Sequence, residues 1–119
     1  MPKTILVADD NPAIRKALCE MFEVEEDYDI CAEATNGEEA IALAKKHKPD
    51  LIILDLSMPI MNGLDAAREL KRILPQIPII LFTVHAAKVR QTKDLPVDRI
   101  VEKTGGPNLI NHVRSLIPV

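Results

Sequence analysis

Aromatic residues are scarce in this sequence of 119 residues, which contains one Tyr, two Phe and no Trp. Apolar side chains still make up 47% of the chain, so we expect a core built mainly from aliphatic residues. A chain of this length usually forms one domain and buries roughly two thirds of the surface that its unfolded form exposes. We therefore predict a single domain that spans residues 1–119.

Long apolar segments are missing as well, and the apolar runs are no longer than a strand, as in LIIL at residues 51–54. The N-terminal sequence MPKTILV lacks the apolar region of a signal peptide, so we expect a cytoplasmic protein without membrane association. A net charge of −3 argues against direct binding of nucleic acid by this domain. Cys19 and Cys31 lack CxxC spacing, and we interpret them as core or surface thiols.

Short apolar runs alternate with helical patterns along the chain. Five runs, several of them β-branched and each bounded by Pro, Asp, Asn or Gly, predict strands at Ile5–Ala8, Ile30–Ala34, Leu51–Leu54, Ile77–Phe82 and Ile100–Val101. Asn11, Asn36 and Asn62 precede amphipathic segments and are suitable N-caps for three helices. Another helix closes the chain, and residues 85–94 allow only a short one. This alternation predicts a doubly wound α/β fold, with helices on both faces of a parallel sheet.

Polar residues stand at the carboxyl ends of the predicted strands, which is where sheets of this type bind ligands. They are Asp9 and Asp10 after the first strand, Asp55 after the third, Thr83 after the fourth and Lys103 after the fifth. Asp is common in turns, so one such residue alone carries little weight. Three carboxylates, a hydroxyl and an amine at one edge of a sheet form a much more specific set, and we take it as the candidate site.

The acidic residues of this set predict a divalent cation. Three clustered carboxylates raise one another's pKa unless a cation neutralises them. Ligation by oxygen alone suits Mg²⁺ or Mn²⁺, and the lack of nearby His or Cys argues against zinc. Such an ion usually acts beside phosphate oxygens, for which Lys103 and Thr83 are complementary donors. Asp55, followed by the turn-rich LSMPIMNG, is then the candidate to accept a phosphoryl group.

The motifs ADDN, ILDLSMPIMNG, LFTV and VEK resemble those of response-regulator receiver domains of two-component signalling, over essentially all 119 residues. The resemblance implies a flavodoxin-like (βα)5 fold with strand order 2-1-3-4-5. It implies a regulatory phospho-acceptor rather than an enzyme, phosphorylated on Asp55 by a sensor histidine kinase or a phosphotransfer protein. The expected output is an unknown protein or a C-terminal output domain.

The resemblance also assigns a role to each residue around the acceptor. It implies that Asp10 binds Mg²⁺ directly, that Asp9 holds the ion through water, and that the backbone carbonyl of Ser57 is a further ligand. The ion would bridge the acceptor carboxylate and the phosphoryl group. Lys103 would balance the charge on the phosphoryl oxygens. Thr83 would report phosphorylation by moving its hydroxyl to one of these oxygens.

Three positions depart from the pattern of the family that the chain resembles. Thr104 stands where Pro usually follows the lysine, so we expect the loop up to Gly106 to differ in shape. Ile100 replaces an aromatic residue on the fifth strand, and Val84 is larger than the usual Ala or Gly. These departures leave open a pseudo-receiver, which keeps the fold but is not phosphorylated. A metal-dependent phosphatase with an Asp nucleophile is a weaker alternative, because Ser57 occupies the place of its second Asp.

Overall fold

A computed structural model describes residues 1–105 and 108–119 of the chain and contains a five-stranded parallel sheet. The strands are β1 Lys3–Ala8, β2 Tyr28–Ala34, β3 Leu51–Leu54, β4 Ile79–Thr83 and β5 Arg99–Glu102. The helices are α1 Pro12–Glu23, α2 Gly37–His47, α3 Gly63–Ile73, α4 Ala86–Val89 and α5 Asn108–Leu116. The sheet order β2-β1-β3-β4-β5 confirms the predicted topology.

All five predicted strands are present, but only β3 keeps its predicted bounds. The prediction for the fourth strand was wrong at both ends. Pro78 has no N–H to donate to a neighbouring strand, and the strand begins at the next residue. At the other end Thr83 pairs with Glu102 of β5. Thr83 is therefore the last residue of β4 rather than the first residue after it.

Asparagine side chains begin α1, α2 and α3, as the sequence predicts. In each helix the Asn Oδ1 accepts a backbone N–H at 2.9 Å, in the pairs Asn11 with Ala13, Asn36 with Glu39 and Asn62 with Asp65. Each such cap stabilises a helix by about 1 kcal/mol relative to alanine. The fourth helix, α4, is a single turn, in agreement with the short helix expected there. Among the described residues, no helix combines the length and apolarity needed to cross a membrane.

Alternate residues of each strand point to opposite faces of the sheet, and two apolar cores result. On one face the strands pack against Leu18 and Phe22 of α1 and against Leu109, Ile110 and Val113 of α5. On the other face they pack against Ala40 and Ala44 of α2 and Ala66, Ala67 and Leu70 of α3. Because the central strands β3 and β4 are covered on both sides, they are apolar at nearly every position, which is typical of a parallel sheet.

The loop between β3 and α3 contains a strained residue, Ile60, with φ of 70°. β-Branched residues avoid this left-handed region, which costs roughly 1–2 kcal/mol. Ile60 is 74% exposed, so its replacement loses little apolar burial. We expect Ile60→Asn to raise the free energy of unfolding by about 1 kcal/mol in urea denaturation, because Asn tolerates a positive φ.

Val24 provides a matched control for this substitution. It is 80% exposed, and its φ of −85° is unstrained. We expect Val24→Asn to change the free energy of unfolding by less than about 0.5 kcal/mol. Equal shifts in the two variants would contradict backbone strain as the cause.

Candidate functional site

The carboxyl ends of β1 and β3 lie side by side and bring the acidic residues together. Ala8 pairs with Leu54 in the sheet, and the N–H of Asp55 donates to the carbonyl of Ala8 at 2.9 Å. Asp9, Asp10 and Asp55 each contribute a carboxylate oxygen to a cluster whose members lie within 4.8 Å of one another. The structure therefore groups the three carboxylates that were selected from the sequence.

Asp9 is buried and held by several protein donors. Its Oδ1 accepts from the N–H of Asn11 at 2.9 Å, and its Oδ2 accepts from Nζ of Lys103 at 2.8 Å. The main-chain carbonyl of Asp9 accepts from Nη1 of Arg15 at 2.7 Å. Asp10, by contrast, is exposed. Because both carboxylate oxygens of Asp9 are engaged, Asp10 is the freer of the two to bind a cation directly.

Lys103 bridges two of the carboxylates. Its Nζ lies 2.8 Å from Oδ2 of Asp9 and 3.2 Å from Oδ1 of Asp55. Burial lowers the pKa of Lys103, but the hydrogen bond that Lys103 donates to Asp9 and the charge of Asp55 outweigh burial, so the pKa is raised. The contact with Asp9 was not predicted from the sequence, and it compensates part of the repulsion within the acidic cluster.

The charged form of Asp55 remains disfavoured despite its contact with Lys103. Burial, and then the charge of Asp9, raise the pKa of the Asp55 carboxyl above 3.8, and Lys103 offsets only part of the increase. The folded protein therefore binds this proton more tightly than the unfolded chain does. The free energy of unfolding accordingly decreases as the pH rises from the pKa of Asp55 in the unfolded chain to its pKa in the folded protein. Above that range the full decrease is present.

This shift predicts that Asp55→Asn stabilises the protein. In a buffer with EDTA near pH 7, we expect the variant to have a higher Tm than the wild type, because it lacks the buried charge. The difference should shrink as the pH is lowered into the acid range, where the wild-type carboxyl takes up a proton and becomes neutral as well. Asp27→Asn, at an exposed position, is the control and should leave the Tm unchanged. An Asp55→Asn variant that melts below the wild type at neutral pH would contradict this account.

Thr83 is buried at the end of β4 and contacts the start of α4. Its Oγ1 accepts from the N–H of His85 at 3.0 Å. The carboxylate of Glu102, its partner on β5, accepts from the N–H of Ala86 at 3.2 Å. The Thr83 hydroxyl, which the resemblance identifies as the reporter of phosphorylation, is thus hydrogen-bonded to the segment that leads into α4.

The loop after Asp55 depends on a close approach of two main-chain segments. The N–H of Gly63 donates to the carbonyl of Leu56 at 2.9 Å. A Cβ at position 63 would lie only 2.0 Å from the carbonyl oxygen of Asp55. Glycine at the end of the MPIMNG motif therefore allows α3 to begin against the candidate acceptor. Ser57 is exposed in the same loop, and its carbonyl stays a predicted metal ligand.

The three departures from the expected pattern lie on one strand and in two turns. Val84 is exposed directly after Thr83, and Ile100 is half-buried on β5, packed against the core on the α2 and α3 face. Thr104 is exposed in a 3₁₀ turn at Lys103–Gly105. The prediction about the shape of this loop extends to Gly106, which lies outside the described residues.

Two residues that contact the site were missed from the sequence. Arg15 lies one helical turn after the N-cap Asn11, so the helical period could have placed its side chain near the end of β1. Glu102 directly precedes Lys103, and pairing of the fourth and fifth strands could have placed it beside Thr83. Both signals depend on knowing which elements are neighbours.

The chain is similar to known proteins in both sequence and fold. A family model described as "Response regulator receiver domain" matches residues 5–114. The transcriptional regulatory protein PdtaR of Mycobacterium tuberculosis is 46% identical over 85 residues, which cover 70% of this chain and 41% of PdtaR. The response regulator protein VraR of Staphylococcus epidermidis is 34% identical over 102 residues, which cover 84% of this chain and 49% of VraR. The chain thus spans less than half the length of these relatives.

A solved structure resembles the chain along nearly its whole length. It is the response regulator protein TrrA of Thermotoga maritima, crystallised in complex with Mg²⁺-BeF. TrrA is 36% identical in sequence, and the match covers 97% of this chain and 99% of that chain with a TM-score of 0.87.

Proposed function

Because this chain belongs to the response regulator receiver domain family, we propose that it is a phosphorylation-dependent signalling switch of a two-component or phosphorelay system. Asp55 would accept the phosphoryl group. The observation that carries this proposal is the grouping of Asp55 with two further carboxylates and the bridging ammonium of Lys103 at the carboxyl ends of the strands. In this role the domain is regulatory rather than an enzyme with an external substrate.

The acidic cluster fits a hard divalent cation. Its donors are carboxylate oxygens, which suit Mg²⁺ and also Mn²⁺. Burial, and then the charge of Asp9, raise the pKa of Asp55, and Lys103 offsets only part of the increase. The similar TrrA structure is a complex with Mg²⁺-BeF. We assign Asp10 as a direct ligand with Asp55 and the carbonyl of Ser57, and Asp9 as an outer contact. A bound Mg²⁺ would neutralise charge on these carboxylates and on the phosphoryl oxygens.

The chain's own residues supply the remaining chemistry. A carboxylate oxygen of Asp55 would form the bond to phosphorus while the bond between phosphorus and the donor's histidine nitrogen breaks. Lys103 lies 3.2 Å from Oδ1 of Asp55 and is placed to balance charge on the transferred group. The Thr83 hydroxyl would turn from the N–H of His85 toward a phosphoryl oxygen. The start of α4 then loses a contact, and the face formed by α4, β5 and α5, where partners would bind, changes its packing.

The donor and the output follow from this chemistry. We propose that this domain acts in the cytoplasm and that its donor is a phosphohistidine of a sensor histidine kinase or of a phosphotransfer protein. The output would be a separate protein or a C-terminal output domain. The net charge of −3 supports an output through protein contacts rather than through direct binding of nucleic acid or membrane by this domain.

Phosphorylation by acetyl phosphate in the presence of Mg²⁺ tests the proposal. We expect intact-mass measurement to show one added phosphoryl group on the wild type and none on Asp55→Asn. Asp27→Asn removes an exposed carboxylate away from the cluster and should be phosphorylated normally. A folded wild type that gains no phosphoryl group at saturating donor would favour the pseudo-receiver. Turnover of a phosphate ester would favour the phosphatase.

A further inference from the structure

Arg15, a residue of α1, contacts both β2 and the acidic loop, which is the Asp9–Asp10 segment after β1. Its Nη1 donates to the main-chain carbonyl of Asp9 at 2.7 Å, and its Nε lies 3.3 Å from Oε1 of Glu33. The Arg15 side chain is only 18% exposed, although it carries a full positive charge. A guanidinium withdrawn from water in this way needs polar partners, and these two oxygens provide them. Its shorter contact is the one to the acidic loop.

The Asp9 carbonyl belongs to the peptide group that joins Asp9 to Asp10. Because a peptide group is planar, fixing its oxygen also fixes the direction in which the chain leaves toward Asp10. The N–H of Asp9 is bonded to the carbonyl of Ala34 at 3.0 Å, so the residue before this peptide group is held from β2. Arg15 holds the peptide group itself. Asp10 is exposed, so the direction of its side chain depends strongly on this peptide group.

We propose that Arg15 is a positioning residue for the divalent cation, and that it acts by orienting the Asp9–Asp10 peptide so that the Asp10 carboxylate faces Asp55. Glu33 assists in two ways. It fixes the guanidinium from β2, and it offsets a positive charge that would otherwise repel a cation at the cluster. This inference rests on the proposed function, because it assumes that the acidic cluster binds the cation used in phosphorylation.

Calorimetric titration with Mg²⁺ tests the inference independently of phosphoryl transfer. Outer contacts that orient metal ligands typically change metal affinity about 10–100-fold, so we expect Arg15→Ala to raise the Kd for Mg²⁺ at least about 10-fold. Arg15→Lys retains a donor and should recover part of the affinity. Lys16→Ala, which removes the neighbouring exposed cation on α1, is the control and should bind like the wild type.

The rate of phosphorylation by acetyl phosphate provides a second readout. For Arg15→Ala we expect a higher Mg²⁺ concentration at half-maximal rate, with a maximal rate close to that of the wild type. Glu33→Gln should show a smaller effect in the same direction. The double variant should be no worse than Arg15→Ala, because Glu33 acts through Arg15.

These readouts separate the possible failures. Wild-type Mg²⁺ affinity in a folded Arg15→Ala protein, with or without a lower Tm, would overturn the inference and leave only a structural role for this residue. If Arg15→Ala fails to fold, then unchanged affinity in both Arg15→Lys and Glu33→Gln would overturn it instead. Arg15→Ala could bind Mg²⁺ more weakly than the wild type while neither protein takes up a phosphoryl group. That result would support Arg15 as a positioning residue and contradict the proposed function.

Discussion

Asp10→Ala should abolish Mg²⁺-dependent phosphorylation of Asp55, whereas Asp9→Ala should only weaken it. The two carboxylates differ in how far protein donors already occupy them. Both oxygens of Asp9 are hydrogen-bonded, one to Asn11 and one to Lys103, while Asp10 is exposed beside the cluster. A direct ligand has no substitute in this cluster, whereas an outer contact typically contributes about 10–100-fold to affinity.

The initial rate of phosphorylation by acetyl phosphate over a range of Mg²⁺ concentrations measures both effects. For Asp10→Ala we expect a loss of more than about 100-fold that added Mg²⁺ does not reverse. For Asp9→Ala we expect about a 10-fold loss that is partly recovered at high Mg²⁺. Asp27→Ala, an exposed position on another loop, should behave like the wild type. Normal phosphorylation of both site variants would show that ADDN is not part of a metal site.

Gly63→Ala should strongly destabilise the protein and nearly eliminate phosphorylation. The added Cβ would lie 2.0 Å from the carbonyl oxygen of Asp55 and 2.9 Å from its carbonyl carbon. Both atoms belong to the main chain that carries the acceptor, so no side-chain rotation relieves the contact. Overpacking of this kind costs about 3 kcal/mol or more when the backbone must move. We expect a loss of that size in urea denaturation, together with loss of phosphoryl uptake by intact mass.

The sign of this result is informative, because Gly→Ala within a helix ordinarily stabilises a protein by roughly 0.5–1 kcal/mol. Gly37→Ala is the matched control, since Gly37 is also the first residue of a helix. A Cβ there would lie 2.6 Å from the main-chain carbonyl oxygen of Met61, a longer contact than the 2.0 Å at Gly63, and 2.8 Å from Cγ of the Met61 side chain. We expect a smaller loss of stability and retained phosphorylation. A Gly63→Ala protein as stable as the wild type would show that the loop adapts easily.

Most of the fold could be predicted from the sequence because its signals are local. β3 was placed correctly at both ends, since four buried apolar residues end at an acidic residue. The N-caps were equally clear, because a cap depends on residues two or three positions apart. The fourth strand was misplaced because its last residue is polar, and its pairing with Glu102 across the sheet outweighs that local signal.

The candidate site was predictable as a set of residues but not as a network of contacts. Parallel strands must end at the same edge, so the grouping of Asp9, Asp10 and Asp55 followed from topology alone. The contact between Lys103 and Asp9 joins residues that are 94 positions apart in the chain. The side chain of Arg15 reaches the loop from α1, which packs against β1 and β2. Such distances depend on packing between elements, which no local pattern encodes.

The two hydrogen bonds at the start of α4 also set an energy scale for signalling. A neutral bond such as that to Thr83 contributes about 0.5–1.5 kcal/mol, and one to a carboxylate such as Glu102 about 1.5–3 kcal/mol. To shift a two-state protein almost completely from one conformation to the other, a ligand must bind the favoured conformation more tightly by about 5.5 kcal/mol. The contacts that hold this segment are therefore somewhat weaker than a full conversion requires. Under the proposed function, a rearranged α4 would then be a minor population of the resting protein, which phosphorylation would enrich.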